Sequence, residues 1–287
     1  MRRILPPLKF SQSRQLACKL SQRRAAAALS CLAEKDHCSS ALPFSWSDPV
    51  VTPGPDFKEY DEGSIIPSGL RYCTDFVSLE EEQEILKVLD EPDNAGQTKW
   101  MHHILRAQQF FGLVYYQTTH AVPSLQPAGL ERQQGRSLEE VPPWLLPRVL
   151  RTGVFEKAED VNQVAANEYL GTAGIAAHVE DPLAFGPSLA TLSLLAPVQL
   201  ALTPANDGGR ASRRNSGQRG RGDWLKILLE PRSLLVMQGN SRYKYKHGIR
   251  RSRLVPLRDG GVLRRCAEYR RVSLTFRQLQ ESRRQLE

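Results

Sequence analysis

Three residues in the second half of the chain could together bind a metal ion. His178 and Glu180 are two positions apart, so on a β-strand their side chains point to the same face. His247 follows 69 residues later, in the segment RYKYKHGI. Two imidazoles and one carboxylate that leave coordination positions open are the ligand set of oxygen-activating iron(II) enzymes. The three residues are candidate metal ligands, although a His-x-Glu pair alone is a weak signal.

The segment RVSLTFR near the C-terminus places arginines on one face of a predicted strand. Its apolar face consists of Val272, Leu274 and Phe276, and its polar face of Arg271, Ser273, Thr275 and Arg277. Arginines inside a barrel are costly unless they are paired, and a dicarboxylate ligand would pair them because the guanidinium matches a carboxylate bidentately. The alternative is an edge strand whose polar face lies in water.

Asn167 and Tyr169 show the same spacing of two residues. On a strand they would place an amide and a phenol on the pocket side. The alternative is a buried structural tyrosine beside an asparagine turn.

Runs with period-two character dominate the second half of the chain and predict the elements that carry these residues. They are 161–169, 189–195, 198–202, 224–229, 233–237 and 271–277. Because turns rather than helices separate them, we expect a mainly β, α+β fold: a double-stranded β-helix (jelly-roll) core with flanking N-terminal helices. The helices are predicted at 79–89, with a capping box of Ser78 and Glu81, and at 142–152. A strand is predicted at 71–76.

The rest of the chain is divided by composition. Residues 1–45 form a basic segment, whose first 33 residues contain seven Lys and Arg and no acidic residue, as is typical of a mitochondrial transit peptide. The alternative is a disordered extension of a protein of the cytoplasm or nucleus. Residues 46–66 are predicted to be a linker and 67–282 the catalytic domain, with its core at 161–278 and an Arg/Gly-rich loop inserted at 205–223.

The overall charge and the cysteine content limit the class of protein. Lys and Arg outnumber Asp and Glu by 39 to 31, a formal charge of +8, which suits an anionic partner such as nucleic acid; the alternative is that the excess is only solvated. Five cysteines without a CxxC pair argue against a disulfide framework or a zinc site. No apolar run approaches the ~18–20 residues that span a bilayer. We expect the protein to be a monomer.

Four ordered segments resemble the AlkB-like 2-oxoglutarate oxygenases over about residues 69–280. They are NEYxxxxGIxxHxE, FGPSLATLSLL, RSLLVMQGNSRYKYKHGI and RVSLTFRQ. The third is most similar to the branch that hydroxylates modified wobble uridines of tRNA. The resemblance implies a dioxygenase that uses Fe(II), 2-oxoglutarate and O2. It implies iron ligands at His178 and His247, and co-substrate contacts from the pocket-facing Asn167, Tyr169, Arg271, Ser273 and Arg277.

The carboxylate ligand departs from the family pattern. Most of the family has Asp where this chain has Glu180, and Asp181 follows directly. An ungapped match from His178 to Phe185, together with strand alternation, favours Glu180, and Asp181 is the alternative. Because Glu is one methylene longer, a catalytically weak or silent binding module is also an open interpretation.

The resemblance leaves the substrate less defined than the chemistry. Relatives build their substrate cover at Arg106, Phe110, Tyr115 and Tyr116, where aromatic rings could stack a base; alternatively Phe110 and Tyr115 belong to the core. The arginines of the insert could follow phosphates or be solvated. We expect hydroxylation or demethylation of a nucleic-acid base, tRNA or other RNA before DNA, bound directly or through a partner protein. The alternative is a mitochondrial protein oxygenase.

Overall fold

The computed structural model describes residues 44–54, 66–102, 105–114, 133–205 and 224–280. The strands in chain order are β1 (Val51–Pro53), β2 (Leu70–Cys73), β3 (Ala107–Val114), β4 (Gln133–Gln134), β5 (Gln163–Leu170), β6 (Ile175–His178), β7 (Phe185–Leu194), β8 (Val198–Pro204), β9 (Leu225–Leu229), β10 (Leu234–Met237), β11 (Tyr245–Ile249), β12 (Leu254–Pro256), β13 (Val262–Arg264) and β14 (Arg270–Leu279). The α-helices are α1 (Leu79–Asp90), α2 (Leu145–Arg151) and α3 (Gly239–Tyr243), and 3-10 turns lie at Leu138–Glu140 and Ala158–Asp160.

Two antiparallel sheets form the core of the fold. The larger has seven strands in the order β2-β10-β7-β14-β5-β3-β4, and the smaller has five in the order β1-β9-β8-β11-β6. A separate hairpin pairs β12 with β13. Apart from the pairs β3–β4 and β8–β9, neighbours in both sheets are not consecutive in the chain, as the crossing connections of a jelly roll require. The predicted mainly β jelly roll is confirmed, and all six predicted runs of its second half are strands.

Strand β14 shows how the seven-stranded sheet is buried on both faces. Val272, Leu274 and Phe276 are at most 1 % exposed and belong to an apolar cluster with the helices α1 and α2. The residues between them point to the space between the two sheets. This alternation follows from the two-residue period of a strand, and it matches the two faces predicted for this segment.

Apolar side chains fill part of the space between the two sheets. Leu189, Leu235 and Met237 extend from the seven-stranded sheet, and Leu200 and Ile227 from the five-stranded sheet, into one buried cluster. Burial of these side chains removes apolar surface from water and fixes the distance between the sheets. The remaining interior contains polar as well as apolar side chains and forms the cavity described below.

Helix α1 begins where its sequence predicts. The Ser78 hydroxyl accepts from the Glu81 amide at 3.2 Å, and the Glu81 carboxylate accepts from the Ser78 amide at 2.8 Å, which completes the predicted capping box. Ile85 and Leu89 then pack against the sheet. The second predicted helix is also present, as α2. None of the helices in the described part of the chain combines the length and apolarity needed to cross a membrane.

Two local expectations differ from the structure. Within the predicted linker, β1 pairs with β9 at the edge of the five-stranded sheet. Pro53 favoured the prediction of a linker, but an edge strand tolerates proline. The strand predicted at 71–76 ends at Cys73 because Asp75 adopts a left-handed backbone with φ of 50°. Residues 1–43 and 206–223 lie outside the described residues, so the division into a targeting segment, linker, catalytic domain and insert stays a prediction.

We expect the two faces of β14 to respond differently to substitution. Leu274→Ala should lower the free energy of unfolding by about 2–5 kcal/mol, because it leaves a cavity in the core. Thr275→Ala, at the adjacent pocket-facing position, should lower the free energy of unfolding by about 1 kcal/mol or less. Denaturant unfolding of both variants measures the difference, and equal losses would contradict the assigned faces.

Candidate metal centre and co-substrate pocket

A polar cavity of about 790 Å³ lies between the two sheets. Its wall on the seven-stranded side comes from β3, β5 and β14, and its wall on the five-stranded side from β6 and β11. Leu189, Leu235 and Met237 form an apolar part of the lining. Such a mixture of apolar walls and a few convergent polar groups is typical of a small-molecule site.

The three candidate ligands meet in this cavity. His178 and His247 are direct register partners on β6 and β11, and their ring centroids are 4.5 Å apart. The nearest Glu180 carboxylate oxygen is 3.8 Å from Nε2 of His178. One ligand atom from each residue lies within 4.8 Å of the other two. Small side-chain adjustments would let all three contact one divalent ion.

Gly248 permits the close strand pairing that brings the histidines together. A Cβ atom at this position would lie 2.8 Å from both the Cα and the amide nitrogen of Ala177, closer than nonbonded atoms approach. Only glycine allows β11 to approach β6 at this point. The glycine that follows His247 is a requirement of the site's geometry.

The structure distinguishes Glu180 from Asp181. Glu180 follows the end of β6, and its carboxylate reaches the cluster and Nη1 of Arg277 at 3.0 Å. The Asp181 carboxylate instead accepts from the amides of Leu183 at 2.9 Å and Ala184 at 3.3 Å. Asp181 thus stabilises a turn. This geometry favours Glu180 as the carboxylate ligand.

The electrostatic environment favours the metal-binding protonation states of His247 and Glu180, whereas it shifts the pKa of His178 toward the protonated form. Burial and the nearby His178 lower the pKa of His247 to about 4. Burial alone would lower the pKa of His178, but the Glu180 carboxylate and the Ala176 carbonyl raise it overall. The Glu180 pKa is lowered in spite of burial, because Arg277 and the histidines stabilise the anion. Near pH 7 His247 is neutral and Glu180 is ionised, as metal binding requires.

Arg271 supplies a buried cation with donors to spare. It is 1 % exposed, and Nη2 donates to the Ser193 hydroxyl at 2.9 Å. Within the described chain its Nε and Nη1 atoms are buried without a hydrogen-bond partner, and its guanidinium lies 5.3 Å from the Tyr169 ring centroid. Because an unsatisfied buried cation is costly, this geometry fits a ligand carboxylate.

The other residues on this face of β14 also line the cavity. Ser273 and Thr275 lie between the two arginines. Arg277 contacts Glu180, donates from Nε to the Gln163 side chain at 2.6 Å, and lies 3.9 Å from the Phe185 ring centroid. The two arginines therefore occupy different ends of the polar wall: Arg277 is at the candidate metal cluster and Arg271 is beside Tyr169 and Ser193.

Asn167 and Tyr169 both line the cavity, but Asn167 has protein partners. Its side-chain oxygen accepts a hydrogen bond from Nε of Arg106 at 3.0 Å and one from the side-chain Nε2 of Gln108 at 2.9 Å. Sequence reasoning did not identify Gln108 or Gln163. Strand alternation could have found Gln108, since it shares a face with Arg106 and Phe110.

The structure places Phe110 at the cavity. Phe110 is half-buried and lines the cavity, whereas its neighbour Phe111 is 1 % exposed and belongs to the core cluster. The alternative that Phe110 belongs to the core is therefore wrong. Tyr115, Tyr116 and the arginines of the insert lie outside the described residues, so their roles stay predictions.

A jelly roll in which two neighbouring strands and the turn after one of them bring together two histidines and one carboxylate defines a class of protein: the non-haem iron(II) oxygenases. Comparison with known families identifies one particular family of such oxygenases. Residues 69–277 match the model of the 2OG-Fe(II) oxygenase superfamily, and the chain belongs to this family. It is a 2-oxoglutarate-dependent dioxygenase of the AlkB-like group, and the family uses Fe(II), 2-oxoglutarate and O2.

Curated relatives share about a quarter of their residues with this chain. The alkylated DNA repair protein ALKBH8 homolog of Arabidopsis thaliana is 26 % identical over 220 residues, 74 % of this chain and 58 % of the relative. The tRNA (carboxymethyluridine(34)-5-O)-methyltransferase ALKBH8 of Mus musculus is 26 % identical over 185 residues, 64 % of this chain and 24 % of the relative. The chain thus spans less than two thirds of the length of these relatives.

A shorter match and a solved structure complete the comparison. The mitochondrial alpha-ketoglutarate-dependent dioxygenase alkB homolog 7 of Bos taurus is 33 % identical over 107 residues, 36 % of this chain and 39 % of the relative. The solved structure of OsALKBH1 aligns with a TM-score of 0.46 and 15 % identity over 82 % of this chain and 100 % of that chain.

Removal of a candidate ligand should abolish metal binding. We expect His247→Ala and Glu180→Ala to weaken Fe(II) binding by more than ~100-fold, the upper range for loss of a group that only supports a ligand. Asp181→Asn is the matched control, because the side-chain oxygen of asparagine can still accept hydrogen bonds from the backbone amides of Leu183 and Ala184. Anaerobic equilibrium dialysis measures the affinities. Retained binding in Glu180→Ala and loss in Asp181→Asn would reverse the assignment.

Arg271→Ala should mainly raise the requirement for 2-oxoglutarate. Removal of a buried charge partner costs about 2 kcal/mol or more, so we expect the KM for 2-oxoglutarate to rise about 30-fold or more. The control is Arg270→Ala, since Arg270 donates to Asp90 and Glu168 away from the cavity. Succinate release at varied 2-oxoglutarate measures both variants, and an equal effect would refute the specific role of Arg271.

Proposed function

We propose that this dioxygenase hydroxylates or demethylates a nucleic-acid base, with RNA, and tRNA in particular, favoured over DNA. In this proposal His178, Glu180 and His247 hold Fe(II), and Arg271 binds the distal carboxylate of 2-oxoglutarate. The observation that carries the proposed chemistry is the buried Arg271 guanidinium, whose Nε and Nη1 atoms have no hydrogen-bond partner in the described chain, in the same cavity as the candidate ligand cluster.

Each polar residue of the cavity has a distinct task in this proposal. Bound iron and 2-oxoglutarate would supply the oxidation of the substrate by O2: one oxygen atom enters succinate as the co-substrate loses CO2, and the other converts a substrate C–H into C–OH. Arg277 holds the Glu180 carboxylate in its ionised form. Arg106 and Gln108 fix the Asn167 side chain, whose amide group remains available toward the co-substrate. The neighbouring apolar lining limits water around the reacting groups.

The side of the cavity formed by β3 supports a planar substrate. Phe110 is half-buried there, with Met101 and Arg106 beside it in the lining. An aromatic ring in this position can stack a base, and the guanidinium can contact a phosphate or a base edge. A base must be single-stranded or flipped out of a duplex to enter such a pocket, which favours the loops of a folded RNA.

Exposed cations in the part of the chain that contains and follows β11 also support a nucleic-acid substrate. The described segment 244–264 exposes Lys244, Lys246, Arg250, Arg251, Arg253, Arg258 and Arg264, with Asp259 as its acidic residue. Such a surface attracts phosphates with salt-dependent affinity. Relatives are named for tRNA modification and for RNA/DNA demethylation. We infer that RNA is bound by this domain directly or is delivered by a partner protein.

A second candidate function is the oxygenation of a protein in mitochondria. Two observations favour it: the match to the mitochondrial alkB homolog 7 and the absence of acidic residues from the first 33 positions. Under this proposal the basic N-terminal segment would direct the chain to mitochondria.

A substrate panel distinguishes the two candidates. Succinate release from 2-oxoglutarate with added Fe(II) should rise when tRNA is supplied, less with methylated single-stranded DNA, and least with peptides. The modified nucleoside should gain one oxygen or lose a methyl group as formaldehyde, as measured by mass spectrometry. Filter binding at two salt concentrations should show weaker binding at higher salt. His247→Ala, which removes a proposed ligand, is the control without turnover.

Three other outcomes would contradict the first proposal. Stimulation by peptides alone would favour the protein oxygenase. Turnover with DNA and none with RNA would correct the substrate class. No succinate from wild type or from Glu180→Asp, with or without substrate, would identify a silent binding module.

A further inference from the structure

The strand that carries His178 and leads into Glu180 has little support from its own sheet. β6 is the terminal strand of the described five-stranded sheet. Its pairing with β11 involves His178 with His247 and Ile175 with Ile249, with an irregular register between them. Short edge strands with few ladder hydrogen bonds open easily. Yet the distance between the two histidines depends on this pairing.

A buried arginine joins the two strands beyond one end of this pairing. Arg265 is 3 % exposed. Its Nε donates to the Gly171 carbonyl at 2.9 Å and its Nη2 to the Ala173 carbonyl, both in the loop that leads into β6. Its Nη1 donates to the carbonyls of Arg250 at 3.2 Å and Ser252 at 3.4 Å, in the loop that leaves β11.

A second buried arginine joins the chain at the opposite end. Arg242 is 0 % exposed and belongs to α3, directly before β11. Its Nη1 donates to the Glu180 carbonyl at 2.8 Å, and its Nη2 is 3.5 Å from the carbonyls of Asp181 and Phe185. The chain that follows β6, including the proposed carboxylate ligand, is thereby bonded to the chain that precedes His247.

The guanidinium group is suited to this task. It carries five donors in one rigid plane, so a single side chain can hold carbonyls from two loops at fixed relative positions. A lysine has a mobile point charge and cannot reproduce this geometry. Burial lowers the pKa of both arginines. Such desolvation opposes burial of the charges, and the carbonyl oxygens offset it at Arg265 and at the Nη atoms of Arg242, whose Nε has no partner among the described residues.

We propose that Arg242 and Arg265 are positioning residues of the metal centre. Arg265 joins the loop before β6 to the loop after β11, and Arg242 joins the chain after β6 to the chain before β11. Together they hold His178 and Glu180 at the correct distance from His247. This inference rests on the proposed metal site. It assigns a role to two arginines that contact neither metal nor co-substrate.

The test uses conservative variants of the full chain. Arg265→Lys and Arg242→Lys should each weaken Co(II) and Fe(II) binding by about 10–100-fold, as for other groups that orient metal ligands, and should alter the visible spectrum of bound Co(II). At saturating Fe(II) the KM for 2-oxoglutarate should change little. Arg148→Lys is the matched control, because Arg148 donates to the Phe76 carbonyl and the Glu81 carboxylate in the helical layer.

Thermal unfolding of the three variants identifies losses of general stability. Arg148→Lys should lower Tm and leave metal affinity and the Co(II) spectrum unchanged. Wild-type metal affinity in both Arg242→Lys and Arg265→Lys would overturn the proposal. So would a loss of affinity in Arg148→Lys as large as theirs.

Hydrogen exchange of the metal-free wild-type chain provides a measurement that needs no variant. The amides of β6 should exchange at rates similar to those of β11, because the arginines hold the pair without metal. Exchange of β6 as fast as that of the exposed turn at residues 258–261 would overturn the proposal. A wild-type chain that binds no metal would refute the proposed metal site, whereas the exchange experiment would still decide whether β6 is held.

Discussion

The burial of positive charge inside an apolar barrel is the constraint on which the rest of this structure depends. Arg271 and Arg277 lie on the inner face of β14 because the opposite face of that strand is needed for the core. Arg277 is compensated by Glu180, whose ionisation it stabilises, while Arg271 retains donors without a partner in the described chain. A polar cavity therefore has to be maintained between the sheets.

The strand order converts this polar cavity into a site. β6 and β11 are neighbours in the five-stranded sheet although about 70 residues of sequence separate their histidines, and Gly248 allows the close approach that the pairing needs. The opposite wall brings in β14 and β5, so the candidate ligand cluster and the buried Arg271 face the same space. The family chemistry needs both groups within reach of one small diacid.

The strands and the capped helix could be predicted because their signals are local. Two-residue alternation identifies strands such as 271–277 without any knowledge of neighbours, and the Ser78–Glu81 pair forms within one helical turn. The edge strand β1 was missed because its pairing with β9, about 175 residues away in the chain, leaves no local pattern. Gln163 was missed for a related reason, since its partner Arg277 lies on the adjacent strand.

By itself, the sequence determined the fold class, the candidate ligands and the polar face of β14, because residue type and spacing specify which side chains share a strand face. Only the tertiary structure decided between Glu180 and Asp181 at the cluster, since a turn beyond β6 directs one carboxylate inward and uses the other for its own amides. The tertiary structure also placed Phe110 at the cavity and revealed the carbonyl contacts of Arg242 and Arg265. Such contacts join distant segments, and spacing within one segment cannot encode them.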